Sequence, residues 1–242
     1  ILSLIGAYSL SLISITYFCV PFLFFEKKKI KKNIFIVSIL STVFFINYLY
    51  GALKINKNYA YDKKLSIKII SPNFSLKDYK FNDEITQLER LIKISDPQKE
   101  KTTLFVWPEG IFYETYLSDI SKYQNLFKNN FSKNHLIVLG INNFNNKDND
   151  KYFNSLVILN NKLEILSTYN KINLVPFGEF LPFENFFLKF NLKKLTSGYN
   201  SFSAGNERNI IKLNSAFNEK LLLPLICYEI IYPGKIKTNK QF

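Results

Sequence analysis

A thiol and a carboxylate stand two residues apart in ICYE, as Cys227 and Glu229, at the end of an apolar run. Lys171 precedes Glu179 by eight residues in YNKINLVPFGEF, across Pro176 and Gly178, residues that bend a chain. A third carboxylate, Glu109, ends the short apolar stretch TLFVW in the sequence WPEG. A thiol becomes an effective nucleophile when a nearby base or cation draws it towards thiolate, so these residue types suit covalent acyl chemistry. Each also has a plainer reading. Glu109 suits a solvated loop, Lys171 is one of many lysines, Glu179 and Glu229 suit ordinary ion pairs, and Cys227 suits a small core position.

His135 is the sole histidine, at the start of HLIVLGI. A zinc site of two or three histidines is therefore excluded, and a base for Cys227 must be a carboxylate unless it is this one residue. His135 is expected to be structural, and no metal or cofactor site is expected. The other cysteine, Cys19, sits within an uncharged stretch, so a disulfide with Cys227 is implausible and Cys227 reads as a lone thiol.

Elements with α/β periodicity surround these residues. Residues 65–70 alternate like a strand, and residues 82–95 place Ile85, Leu88, Leu91 and Ile92 at helical spacing behind Asn82 and Asp83. Residues 103–107 and 135–141 read as buried strands flanking a helix at 117–132. NNFNNKDND reads as a solvated loop tip, and 155–160 with 162–169 as a strand pair. Residues 209–214 follow, and 220–229 are apolar enough for a central strand ending at Cys227. The expected fold is an α/β layered domain over residues 62–242.

The first 54 residues differ. Residues 1–25 and 33–53 carry no charge, and as helices they reach roughly 37 and 31 Å, against a hydrocarbon core of about 30 Å. Two transmembrane helices are expected over residues 1–54. The loop between them, EKKKIKK, is expected on the cytoplasmic side, which would place the later domain across the membrane. A signal peptide fits poorly, because its apolar region is shorter and follows a basic start. With no methionine anywhere, the chain reads as part of a longer membrane protein. The formal net charge of +13 is spread over loops rather than gathered in a stripe, so nucleic acid is not an expected partner.

Taken together, WPEG, YNKINLVPFGEF and ICYE occur in an order and at a spacing that resemble the nitrilase superfamily, and within it the apolipoprotein N-acyltransferases. SIKIISPN, YFNSLVIL with Asn154 and Ser155, and SFSAGN extend the likeness over nearly the whole chain. Ser71 and Pro72, Asn173 and Gly110 depart from the residues most frequent in that family. The resemblance implies a nitrilase-like α-β-β-α sandwich, with further strands and a membrane helix beyond Phe242. It implies Cys227 as nucleophile, Glu109 as base and Lys171 as oxyanion partner together with the Tyr228 backbone N–H. Glu179 would hold Lys171, and Glu229 would orient the loop after the nucleophile. The implied reaction moves an acyl chain from a membrane phospholipid, through a Cys227 thioester, to the amine of a diacylglyceryl-cysteine apolipoprotein. It places a monomeric, multi-pass enzyme in a bacterial inner membrane with its catalytic domain on the periplasmic side. Phe183, Phe186 and Phe187 would line a lipid-facing entrance or belong to the core. A membrane-anchored amidase using the same residues and a catalytically silent scaffold are the competing readings.

Overall fold

The computed structural model describes residues 2–25, 30–55, 65–75, 83–145, 151–182 and 201–231. The chain forms two compact units, chiefly Ile1–Tyr61 and Asp62–Ile230. Residues 26–29 of the lysine loop, the NKDND loop tip at 146–150, and Phe183, Phe186 and Phe187 lie outside the described residues.

In the first unit, helix α1 (Leu2–Cys19) leads into a 3-10 segment (Val20–Phe25), and α2 spans Ile30–Ile55. Of the expected pair of spanning helices, one is long and apolar enough to span among the described residues. Gly6 adopts φ 76°, ψ 174°, outside the helical region and accessible to glycine alone, which breaks the first helix. The apolar helical stretch that remains, Tyr8–Leu23, is short, whereas the 26 residues of α2, with mean hydropathy 1.9 over its most apolar window, are long and apolar enough to cross a bilayer. Tyr17 donates a hydrogen bond to the Leu40 carbonyl, and its ring meets Phe44 edge-on at 5.8 Å.

The second unit is built on a five-stranded sheet in the order β1 (Ser66–Ile69), β2 (Thr103–Val106), β3 (His135–Asn145), β4 (Lys151–Leu159), β5 (Ile165–Asn170). β1, β2 and β3 run parallel, with Ser66 opposite Thr103 and Thr103 opposite His135. β4 and β5 are antiparallel, with Asn142 opposite Asn154 and Ser155 opposite Asn170. Helix α3 (Glu84–Ser95) joins β1 to β2, and a 3-10 turn (Leu117–Tyr123) with α4 (Gln124–Asn130) joins β2 to β3.

Successive strand residues face opposite sides, and the core divides accordingly. Phe105, Ile137, Leu139, Ile141, Val157 and Leu159 pack under α3 and α4. Leu104, Leu136, Val138 and Ile158 pack against Leu213 and Phe217 from the two-stranded ribbon of β6 (Ile211–Lys212) and β7 (Leu221–Leu222). The helix α3 begins at Asp83, whose carboxylate accepts the Thr86 N–H at 3.1 Å. It buries Leu88, Leu91 and Ile92 as expected, but Ile85 is exposed and Glu84 is buried in its place.

The α/β architecture agrees with the sequence. The expected strand at 220–229 is corrected to the two residues of β7, paired with β6 and separate from the main sheet. Pro224 lacks the N–H that a continuing ladder would need. Its carbonyl instead accepts the Arg208 Nε–H at 3.1 Å, and Cys227 lies in a 3-10 turn (Cys227–Ile231).

Candidate active site

Glu109 stands in the turn just past β2, after Trp107, whose indole N–H reaches Ser95 Oγ at 3.0 Å and ties the strand end to α3. The turn lies so close to β3 that a Cβ on Gly140 would meet the Glu109 Cα and Cγ at 3.2 Å. Gly110 has φ +79°, so glycine serves there for its backbone angle, and Gly140 supplies the close approach.

Glu109 opens on a cavity of about 190 Å³ whose wall includes Asn142, Asn154, Glu179 and Phe202. Asn154 Nδ2 donates to Glu109 Oε1 at 2.7 Å and to Glu179 Oε1 at 2.9 Å, joining two carboxylates through one amide. Lys171 Nζ, with its residue 1% exposed, donates to the same Glu179 oxygen at 2.8 Å. Burying a cation is tolerable only beside an anion, and Glu179 provides it. The other Glu179 oxygen accepts the Val175 N–H at 2.8 Å, while the Glu179 N–H returns to the Val175 carbonyl at 2.8 Å, closing the VPFGE turn on itself. Lys171 follows the end of β5, where its N–H bonds Asn154 O at 2.9 Å and its carbonyl accepts from Gly205 at 2.8 Å. Glu109, Asn154, Glu179 and Lys171 thus form one continuous network.

Cys227 is exposed and has φ 49°, a left-handed backbone that costs an L-residue about 1–2 kcal/mol. The cavity beside Glu109 is lined by other residues. Tyr228, next in the same 3-10 turn, is also exposed. Glu229 holds this turn. It is fully buried, and its Oε2 accepts the Ile226 N–H at 2.9 Å while its own N–H returns to the Ile226 carbonyl at 3.1 Å. Its Oε1 accepts the N–H groups of Ile172 and Asn173 at 3.0 and 3.1 Å, so one carboxylate joins the segments on either side of Cys227 and Lys171. Tyr169 Oη and Arg208 Nη2 complete the set, each 2.7 Å from Oε1. Burial alone would raise this carboxyl; the Ile226 N–H, the Tyr169 hydroxyl and the Asn173 and Ile172 N–H groups outweigh it and hold Glu229 below its ordinary value. Burial, then the hydrogen bond to Glu229, drives the Tyr169 hydroxyl well above the usual phenol range.

His135 plays no part here. It is buried, its Nδ1 accepts the Ser132 N–H at 3.1 Å, and Nε2 lies 3.0 Å from the Gln98 carbonyl, an arrangement that fits the neutral ring with its proton on Nε2. Burial lowers its pKa. Among the described residues no group of three or more His, Cys, Asp or Glu side chains is placed to hold a metal ion.

Glu109, Lys171, Glu179 and Glu229 stand out in the sequence as candidates for a role, whereas Asn154 and Arg208 do not. Asn154 carried a signal, since an amide in the apolar strand YFNSLVIL needs a buried partner. Arg208 carried none, because its partners Pro224, Glu229 and Tyr169 are 16, 21 and 39 residues away.

Residues 73–241 match the carbon-nitrogen hydrolase family model. The chain is 28% identical over 244 residues to a Rickettsia typhi protein named apolipoprotein N-acyltransferase, covering 99% of this chain and 47% of that protein. It is 26% identical over 187 residues to the Rhizobium leguminosarum protein of the same name, covering 74% of this chain and 34% of that one. It therefore spans about half the length, or less, of these relatives. A crystal structure of an N-terminal amidase with an Asn-Glu-Ala peptide aligns with 46% of this chain and 28% of its own at 13% identity and a TM-score of 0.29, too partial a likeness to carry an argument. The family match takes in more than half of the chain and runs through Glu109, Lys171, Glu179 and Cys227, and on that ground the chain belongs to the carbon-nitrogen hydrolase family.

Proposed function

We propose that this protein transfers an acyl chain from a membrane phospholipid to the free amine of a diacylglyceryl-cysteine apolipoprotein. The observation that carries this reading is the Glu109–Asn154–Glu179–Lys171 network. It offers a carboxylate beside a cavity and a buried ammonium held by a second carboxylate. In the proposed reaction Cys227 Sγ attacks the donor's ester carbonyl and its proton passes to Glu109. Lys171 Nζ and the Tyr228 backbone N–H stabilise the tetrahedral oxyanion, donors worth about 3–4 kcal/mol each in comparable sites. Collapse releases the lysophospholipid, which takes the proton from Glu109. The acceptor amine then attacks the thioester, Glu109 takes its proton, the amide forms and the thiol is restored. The membrane-length helix α2 supports the lipid substrates, because both donor and acceptor reside in a bilayer.

The roles separate by mutation in the full-length enzyme. With phospholipid alone, mass spectrometry is expected to find one acyl chain on Cys227, discharged when a lipopeptide with a free amine is added. Cys227→Ala should abolish the thioester, and Glu109→Gln should slow its formation about 10²–10⁴-fold. Acylation elsewhere, or undiminished transfer by Cys227→Ala, would overturn the assignment. The family match also favours a second reading, an amidase in which water takes the acyl group. Hydrolysis of a small amide with no transfer to a lipopeptide would select it.

A further inference from the structure

Arg208 is buried, yet it precedes the β6–β7 ribbon at a point far in sequence from either loop of the site. Its Nε donates to the Pro224 carbonyl at 3.1 Å, and its Nη2 donates to Tyr169 Oη at 2.8 Å and Glu229 Oε1 at 2.7 Å. The guanidinium also lies 5.4 Å from the centre of the Tyr169 ring. One planar fork therefore touches the segment leading into Cys227, the strand leading into Lys171, and the carboxylate that joins the two. A lysine ammonium could neutralise Glu229 but could not reproduce the separated Nε and Nη2 contacts.

We infer that Arg208 is a positioning residue for the reaction, holding Glu229 in its seat so that the Cys227 turn stays locked to the Lys171 loop. This rests on the reading of Cys227 as nucleophile. The remaining donors to Glu229 are neutral: the N–H groups of Ile172, Asn173 and Ile226, and the Tyr169 hydroxyl. Among the described residues, Arg208 is the cation paired with it. Among the described residues the ionisable groups in contact with Glu229 are thus Tyr169 from β5 and Arg208 from the segment before β6. Remove the guanidinium, and Glu229 loses the partner that also ties it to the Pro224 carbonyl and the Tyr169 hydroxyl. The carboxylate can then shift in its site, and the left-handed Cys227 loses part of its tether.

Such a clasp predicts a selective loss of kcat, partly rescued by lysine, that a general loss of packing would not produce. In the full-length enzyme, the rate of Cys227 acylation by a short-chain p-nitrophenyl ester, and of its alkylation by iodoacetamide, would be followed from pH 5 to 9. Arg208→Met should lower acylation roughly 10–100-fold near pH 6, the effect of losing hydrogen bonds to a charged group. Four neutral donors still hold Glu229 ionised, so the loss should persist across this range and fall on kcat rather than KM. Arg208→Lys should recover part of the rate. Arg208→Met combined with Glu229→Gln leaves no unpaired charge, so it should stay folded and remain slow. A folded Arg208→Met protein with the native rate, a loss confined to KM, or a double variant with the native rate would overturn the inference. If the wild-type protein forms no thioester, the proposed function fails instead, and alkylation of Cys227 still reports whether Arg208 holds the turn.

Discussion

Glu84 and Glu229 are almost equally buried, at 2% and 0% exposure, and their pKa values are displaced in opposite directions. Glu84 accepts a hydrogen bond from Thr115 Oγ1 at 2.7 Å, lies 4.0 Å from Lys122 Nζ and gains a little more from Tyr123, while its Oε1 has no partner among the described residues. Burial therefore prevails and raises its pKa. Glu229 meets four N–H or O–H donors besides Arg208, and they overcome a comparable burial penalty. Burial alone does not decide how an internal carboxylate titrates; the number of donors built around it does. The chain has invested those donors where two loops of the proposed site must be held in register. Glu84 fastens only the start of α3 to Thr115, beyond the Glu109 turn.

The most severe way to break this contrast is Glu229→Ala. It strands the buried guanidinium of Arg208 and frees three backbone N–H groups, which should cost about 3–5 kcal/mol, the usual penalty for removing one partner of a buried pair. Denaturant unfolding of the full-length enzyme in detergent measures it, and a loss below about 1 kcal/mol would show that the clasp is loose. The pH dependence has a definite sign. Because the fold lowers the Glu229 pKa from 4.5, its stabilisation is present above about pH 4.5 and lost as pH falls through the folded value.

Next in size is Asn154→Leu, which tests the second clasp by leaving Glu109 and Glu179 without the amide between them. Loss of hydrogen bonds to charged groups predicts roughly 10–100-fold slower acylation of Cys227. The stability change should be smaller than for Glu229→Ala, because Glu179 keeps Lys171 and the Val175 N–H. A normal acylation rate would detach Asn154 from the chemistry.

These clasps also mark the boundary of what could be read before the fold was known. The strands at 103–106 and 135–145 and the helix α3 announce themselves through local periodicity, and their placement follows from it. Local pattern misleads where a distant partner prevails. Residues 220–229 look like a buried strand, but Pro224 ends the ladder after Leu222 and its carbonyl turns to Arg208. The first apolar stretch has the composition of a membrane span, yet the backbone of Gly6 breaks it. On α3, Ile85 satisfied the helical spacing, although the buried position went to Glu84, whose partner Thr115 lies 31 residues away. The candidate site residues stand out as motifs, whereas the amide joining Glu109 to Glu179 and the arginine on Glu229 are legible only once the elements are assembled.

A milder change sharpens the comparison from the other side. Glu84→Gln keeps the acceptor for Thr115 and removes the charge that burial opposes. Since the fold raises the Glu84 pKa, its contribution is fully present below about pH 4.5 and lost as pH rises through the folded value. Wild type and variant should therefore unfold alike in acid, and the variant should be the more stable at neutral pH by on the order of 1 kcal/mol, about one hydrogen bond's worth. Thermal unfolding at pH 4 and pH 7 measures the difference. Greater stability of the wild type at pH 7 would mean that Glu84 is well served as an anion.

The smallest expected effect comes from Lys212 and Glu219, a carboxylate–cation pair whose Nζ–Oε2 separation of 2.5 Å is shorter than the 2.7 Å between Arg208 and Glu229. Distance alone would rank the Lys212 pair first. Both of its side chains are 58% exposed, however, so water already solvates each charge and ordering two long chains offsets the Coulomb gain. Lys212→Ala on the β6–β7 ribbon should change stability by less than about 0.5 kcal/mol, and the small loss should shrink further in high salt. Comparing unfolding of Lys212→Ala and Glu229→Ala at low and high ionic strength separates the two cases: the buried clasp should keep nearly all of its effect. A salt-insensitive loss above about 1 kcal/mol at Lys212 would mean that short contact distance, rather than burial with a full set of donors, sets the strength of ion pairs in this domain.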